Sequence, residues 1–173
     1  MNGLVVVGMA DCRFSGNPSD TLVTYALGSC IALIVHDPVT CVGGMLHFML
    51  PDSSIDADKA KRNPWMFADT GIPRLLNSVC EMGGIQRRLA VYAVGGAQVM
   101  DEQGIFNIGK RNALAMRKLL WKAGVMLREE DLGGNLSRSV RLEIATGKCL
   151  LRTAGIPERT LCAAAGTCAQ GRR

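Results

Sequence analysis

The chain has 173 residues, of which 48% are hydrophobic and 20% charged, and its net charge is +5. A chain of this length buries about 70% of its unfolded surface, and this mixture is ordinary for a compact globule, so disorder is not expected outside the ends. No apolar run approaches the roughly 18 residues that span a bilayer, and the first ten residues lack a basic, then apolar leader, so a cytoplasmic protein is expected.

The seven cysteines (12, 30, 41, 80, 149, 162 and 168) are odd in number and scattered. None falls in a Cys-x-x-Cys pair or at zinc-type spacing from a histidine, so neither a metal nor a cofactor is expected. The basic pairs, such as Arg87-Arg88 and Lys110-Arg111, have no aromatic residues between them to stack on bases. Nucleic acid is therefore not an expected partner, whereas an acidic protein could be steered by the same charge.

In chain order, Leu4 to Met9 is β-branched and apolar and predicts a first strand. Gly16, Asn17, Pro18 and Ser19 make residues 11–20 a loop. Thr21 to Ala26 predicts a strand that delivers the turn Leu27-Gly28-Ser29 and, straight after it, Cys30. Ile31 to Val35 and a second apolar run carrying His47 read as the arms of a β-hairpin, apolar on both faces and so covered on both. A turn over Asp37 to Thr40 with Pro38 second suits type I. It places Cys30 opposite His47, with Cβ atoms roughly 4.5–5.5 Å apart, and His36 opposite Cys41 at an exposed tip.

A slip of one residue would turn His47 to the other face. His36, six residues from Cys30 and so about 20 Å away along a strand, is too distant to act as its base. A thiol facing an imidazole is the minimum equipment for nucleophilic catalysis by cysteine. Consecutive N–H groups of Gly28, Ser29 and Cys30 would form a nest for a developing oxyanion. An imidazolium beside Cys30 would lower the thiol's pKa toward the thiolate.

Residues 51–64 are polar and read as a loop close after His47, either a substrate-facing lid or a plain connection; Asp52 is a reserve polar neighbour of the site. Ala68, Ile72, Leu75, Leu76, Val79 and Met82 recur at helical spacing up to Gly83-Gly84. Pro73 belongs in a first turn, which sets the helix start near Thr70. Leu89 to Val94 is a strand running into Gly95-Gly96. The segment from Gly104 to Lys110 imitates a phosphate loop, but Arg111 stands where Ser or Thr is needed and no strand precedes it, so nucleotide binding is not expected. Asn107 instead caps a helix reaching about Ala123. Val125 to Leu132 is a strand, and 139–145 with 148–152 a hairpin around Thr146-Gly147.

Gly155-Ile156-Pro157 ends the expected folded body. Residues 1–155 form one domain and 156–173 a tail with a short helix near 161–165; Cys162 and Cys168 carry no motif there. The expected fold class is α+β, with a mixed, largely antiparallel sheet packed by two main helices.

Thr24 through Gly28-Ser29-Cys30, followed by His47 in HFMLPDS, resembles the chemoreceptor glutamine deamidase family (CheD). The likeness continues through Ala68-Asp69-Thr70, Gly95-Gly96-Ala97, Asn107 to Asn112, and Gly133-Gly134-Asn135 with Arg138-Ser139-Val140. It implies a layered α/β arrangement, consistent with that fold class. It implies that Cys30 is the nucleophile, His47 the general base and Thr24 the residue supporting the imidazole. It also implies a substrate, glutamine side chains on the cytoplasmic helical domain of a chemoreceptor, and a second partner, a chemotaxis phosphatase. Two other readings stay open. The chain could act as a binding or regulatory partner of such a phosphatase, or as a Cys-His peptidase or amide-crosslinking enzyme.

Overall fold

A computed structural model describes residues 3–99 and 106–162. The first sheet has the strand order β1 (Gly3–Val6), β3 (Asp20–Leu27), β8 (Arg138–Glu143), β9 (Cys149–Thr153) and β10 (Arg159–Cys162). The second runs β2 (Asp11–Ser15), β5 (Val42–Phe48), β4 (Ile31–Asp37), β6 (Ala90–Gly95) and β7 (Leu127–Leu132). Among the described strand pairs, only β1–β3 and β6–β7 are parallel. A short helix α1 (Ala57–Arg62), the longer α2 (Ala68–Glu81) and α3 (Ile108–Lys122), and three single 3-10 turns (Ser53–Ile55, Pro64–Met66 and Gln86–Arg88) complete the described elements.

The fold is α+β, as its sequence pattern indicates, but the strands form two mixed sheets. Period-two alternation explains the layering. Along β4, Ile31, Leu33 and Val35 join Leu75, Val79 and Met116 of α2 and α3 in one core. Ala32 and Ile34 face the opposite way and join Leu22, Val140, Leu142 and Leu151 of the first sheet in another. Each large aliphatic side chain so enclosed contributes about 1.5–3 kcal/mol. The layers are therefore helix, sheet and sheet, with β4 buried along its whole length.

Several expectations need correction. Residues 11–15 form a strand paired with β5. α2 begins at Ala68, so Pro73 lies beyond the first turn, where its missing N–H denies the Asp69 carbonyl its usual i+4 donor. Asn107 stands at the start of α3 in a left-handed conformation (φ 48°), and its side chain accepts from Gln98 (2.9 Å) rather than capping the helix. The folded body continues past Pro157, because β10 pairs with β9. Leu161 and Cys162 are thus strand residues, while 163–165 of the expected helix, Cys168 and the terminal arginines lie outside the described residues, as do positions 104 and 105.

The central hairpin forms in a different register. Ala32 lies opposite His47, and Gly43 opposite His36. The reason is the turn, a four-residue loop closed by Asp37 and Val42. Cys41 adopts a left-handed backbone (φ 54°) and donates its N–H to the Asp37 carbonyl (2.9 Å). The Asp37 carboxylate accepts from Val39 N–H (2.9 Å), from Ile85 N–H (2.8 Å) and from Arg88 (2.6 Å), locking the tip. His36 and Cys41 are not exposed either, although Val39 and Thr40 at the tip are. His36 is buried, its Nε2 is 2.9 Å from the Ile144 carbonyl, and Gly147 packs against its ring too closely for any side chain there.

Candidate active site

The displacement by two residues preserves side-chain parity. His47 keeps the expected face, opposite Ala32, and Cys30 stands one residue before β4 begins. Ala32, its cross-strand neighbour, belongs to the core between the sheets, and Cys30 packs against the same core.

Thr24 reaches that face from the other sheet. Its Oγ1 lies 2.7 Å from the Val7 carbonyl and 2.8 Å from His47 Nδ1, and both Thr24 and His47 are almost wholly buried. A hydroxyl has one hydrogen. Since a carbonyl only accepts, Thr24 donates to Val7 and accepts from His47. Nδ1 therefore carries the proton, and Nε2 holds the lone pair. Thr24 thus fixes the tautomer that a base requires without supplying charge.

The electrostatics revise the expected ion pair. Burial pushes His47 down to about 4, with Asp11 opposing the shift. Burial also raises the Cys30 thiol, opposed by the cysteine's own N–H. At neutral pH the two groups rest as thiol and neutral imidazole, because the region between the sheets removes water and Thr24 offers no negative charge. Asp11 is the cross-strand partner of His47 on β2, a neighbour that a loop over residues 11–20 does not provide. The alternation of polar Asp11, Arg13 and Ser15 with Cys12 and Phe14 was the signal for that strand.

The turn before Cys30 is built by a β-bulge. Between the pairs Thr24–Val140 and Leu27–Arg138, β3 holds one residue more than β8, and Ala26 takes a left-handed backbone (φ 53°). The bulge redirects the chain so that Gly28, Ser29 and Cys30 leave the sheet. Gly95-Gly96-Ala97 strap this loop in place. Gly96 N–H donates to the Cys30 carbonyl and Ala97 N–H to the Gly28 carbonyl, both at 2.8 Å. Gly95 has φ 118°, and a Cβ there would lie 2.3 Å from the Cys30 carbonyl oxygen, so the close approach requires glycine. The Ser29 carbonyl accepts from Asn112 Nδ2 at 3.0 Å. All three carbonyls are thus engaged. Among the described residues, the N–H groups of Gly28, Ser29 and Cys30 donate to no backbone carbonyl.

Cys30 opens onto a cavity of about 410 Å³, which Gly28, Ser29, Val99, Phe106, Ile108 and Gly109 also line. Its walls are mainly apolar, and the start of α3 adds the positive end of a helix dipole. Residues 51–64 contribute nothing to this lining. They form helical turns tied down at several points, with Ser53 donating to Asp69 (2.6 Å) and Asn63 to the Ala10 carbonyl (2.9 Å). Asp52 caps the first of these turns through Ser54 N–H (2.7 Å) and does not line the cavity. Among the described residues no group of three or more His, Cys, Asp or Glu is arranged to hold a metal ion, and no helix is long and apolar enough to cross a membrane.

The family profile described as CheD chemotactic sensory transduction matches residues 49–153. The chain is 56% identical over 151 residues to the probable chemoreceptor glutamine deamidase CheD of Solibacter usitatus, covering 87% of this chain and 89% of that one. It is 50% identical over 159 residues to the probable chemoreceptor glutamine deamidase CheD 1 of Syntrophus aciditrophicus, covering 92% and 99%. The chemoreceptor glutamine deamidase CheD of Thermotoga maritima is 42% identical over 150 residues, covering 87% and 92%. The profile match begins beyond His47, whereas the first alignment is long enough to include Thr24, Cys30 and His47 wherever it starts.

Proposed function

Because the chain belongs to the CheD family, we propose that it hydrolyses the side-chain amides of chemoreceptor glutamines to glutamates, with Cys30 as nucleophile and His47 as base. The observation that carries this reading is the proton order from His47 Nδ1 through Thr24 to Val7, which leaves Nε2 with the lone pair that a base needs.

The steps follow from that order. As the Cys30 sulfur bonds to the carboxamide carbon, its proton passes to His47 Nε2, and the N–H groups of Gly28, Ser29 and Cys30 stabilise the oxyanion. The imidazolium returns the proton to the departing nitrogen, which leaves as ammonia from a thioester. His47 then takes a proton from water, the hydroxide oxygen bonds to the acyl carbon, and the sulfur leaves to regain its proton. No cofactor enters. Starting from a neutral pair, the proton moves with the attack, so the base is needed at the moment the carbon–sulfur bond forms.

A half-open apolar cavity suits one glutamine side chain carried on a helical receptor surface better than an extended peptide in a cleft, which weighs against a peptidase. Each deamidation adds one negative charge to the receptor's helical bundle and alters repulsion between its helices, a means of tuning chemotaxis signalling. The enzyme then works in the cytoplasm, where that domain lies. A chemotaxis phosphatase is the further partner that family membership suggests.

The test is to incubate the protein and its Cys30→Ala variant with a receptor cytoplasmic fragment. Ammonia release and a one-dalton gain at receptor glutamines are expected from the wild type alone. Equal release by a folded Cys30→Ala variant removes the nucleophile assignment. Chain cleavage or crosslinks in place of the one-dalton gain would transfer the chemistry to another substrate class. If the variant keeps the full biological effect, binding rather than hydrolysis is the function.

A further inference from the structure

Asn112 lies in the second turn of α3 and is wholly buried. Its Nδ2 donates to two carbonyls from separate parts of the chain, Ser29 at 3.0 Å and Met49 at 2.8 Å. Ser29 immediately precedes Cys30, and Met49 stands two residues after His47. One amide nitrogen thus holds the loop that carries the sulfur and the strand end that carries the imidazole. Its two N–H bonds are divided one to each. The orientation of the amide is fixed as well, since a flip would set its oxygen against two carbonyl oxygens.

Among the described residues, the opposite end of the same group has no partner. Asn112 Oδ1 is buried and unbonded, a cost that a residue kept only for stability would not carry. Asparagine is also a weak helix former, and Ala113, Met116 and Leu120 already anchor α3 in the core. We infer that Asn112 is a positioning residue, a clamp that sets the separation of Cys30 and His47 through the backbone to either side of them. The inference rests on the reaction proposed above. Asn112 touches neither reacting group and does not line the cavity, so its loss changes the attack geometry and not substrate capture.

The test measures kcat, KM and the rate of Cys30 alkylation by iodoacetamide in wild type, N112D and N112S, with circular dichroism as the check on folding. A misplacement of about 1 Å costs roughly 100-fold, so N112D is expected to lower kcat by that order with KM within about twofold. N112S keeps one donor and should lose less. The carboxyl introduced by N112D can donate only when protonated, so its kcat partly recovers as the pH falls toward 5, and that of N112S does not.

Cys30 alkylation should accelerate in both variants as the loop is released. If N112D does not fold, N112S decides by the split between kcat and KM and by alkylation. Unchanged kcat and alkylation, or equal changes in kcat and KM, overturn the clamp. If wild type itself leaves receptor glutamines intact, the deamidase reading falls, and the alkylation rates alone decide whether Asn112 holds the loop.

Discussion

Thr24 Oγ1 lies 2.8 Å from His47 Nδ1 and gives its own hydrogen to the Val7 carbonyl 2.7 Å away, so the hydroxyl accepts from the ring. A threonine on one sheet thereby selects the tautomer of a histidine on the other. Replacing it by valine keeps the volume and removes both bonds. Thr24→Val is expected to cost about 1–3 kcal/mol of stability from unpaired buried groups. It should also lower kcat by roughly 10–100-fold as the ring loses its fixed tautomer. Thr24→Ser, which retains the hydroxyl, should preserve most of both. Urea unfolding and steady-state ammonia release check the pair.

The pH dependence follows from the depressed His47 pKa. The folded protein binds the proton at about 4, against 6.5 for an ordinary histidine, so the unfolded chain holds more protons between those values. Stability due to neutral His47 is complete above pH 6.5 and is lost as the pH falls from there through 4. The base is needed unprotonated, so the acid limb of kcat should lie near pH 4 and not near 6.5. The chain has two histidines, and burial lowers His36 as well. Neither ring should titrate near 6.5 by NMR in the folded protein, and a midpoint for His47 at the ordinary value would contradict the geometry.

Gly109 shows how little space separates α3 from the strap around Cys30. A Cβ at that position would lie 2.3 Å from the Gly96 carbonyl oxygen, which is backbone and cannot rotate away. Gly109→Ala is expected to cost about 1–3 kcal/mol by overpacking and to lower activity by shifting the lip of the cavity. Thermal unfolding together with kcat/KM measures both effects.

Asp37 sets the turn that decides the hairpin register, and its side chain is fully buried against Arg88. Asp37→Ala strands the guanidinium and the N–H groups of Val39 and Ile85, with an expected loss of about 3–5 kcal/mol. Denaturant midpoints check the magnitude. A change below 1 kcal/mol would mean that the turn holds its register without the carboxylate.

Local chemistry made much of this legible in the sequence. Cys30 after Gly28-Ser29, the apolar arms of the hairpin and the spacing of α2 each follow from neighbours a few residues apart. So did the parity that brings His47 to the same face as Cys30, because a strand's alternation survives a slip of two. The turn that set the slip was decided from far away, since Ile85 and Arg88 close on Asp37 from a segment 48 or more residues later. The division into two sheets, the covering of His36 by Gly147, the proton order through Thr24 and the reach of Asn112 to Ser29 and Met49 are likewise contacts between distant segments. Periodicity records which face a residue occupies. Which face it meets, and at what distance water is excluded, depends on how separate elements pack, and packing is where the site acquired its charge state and its geometry.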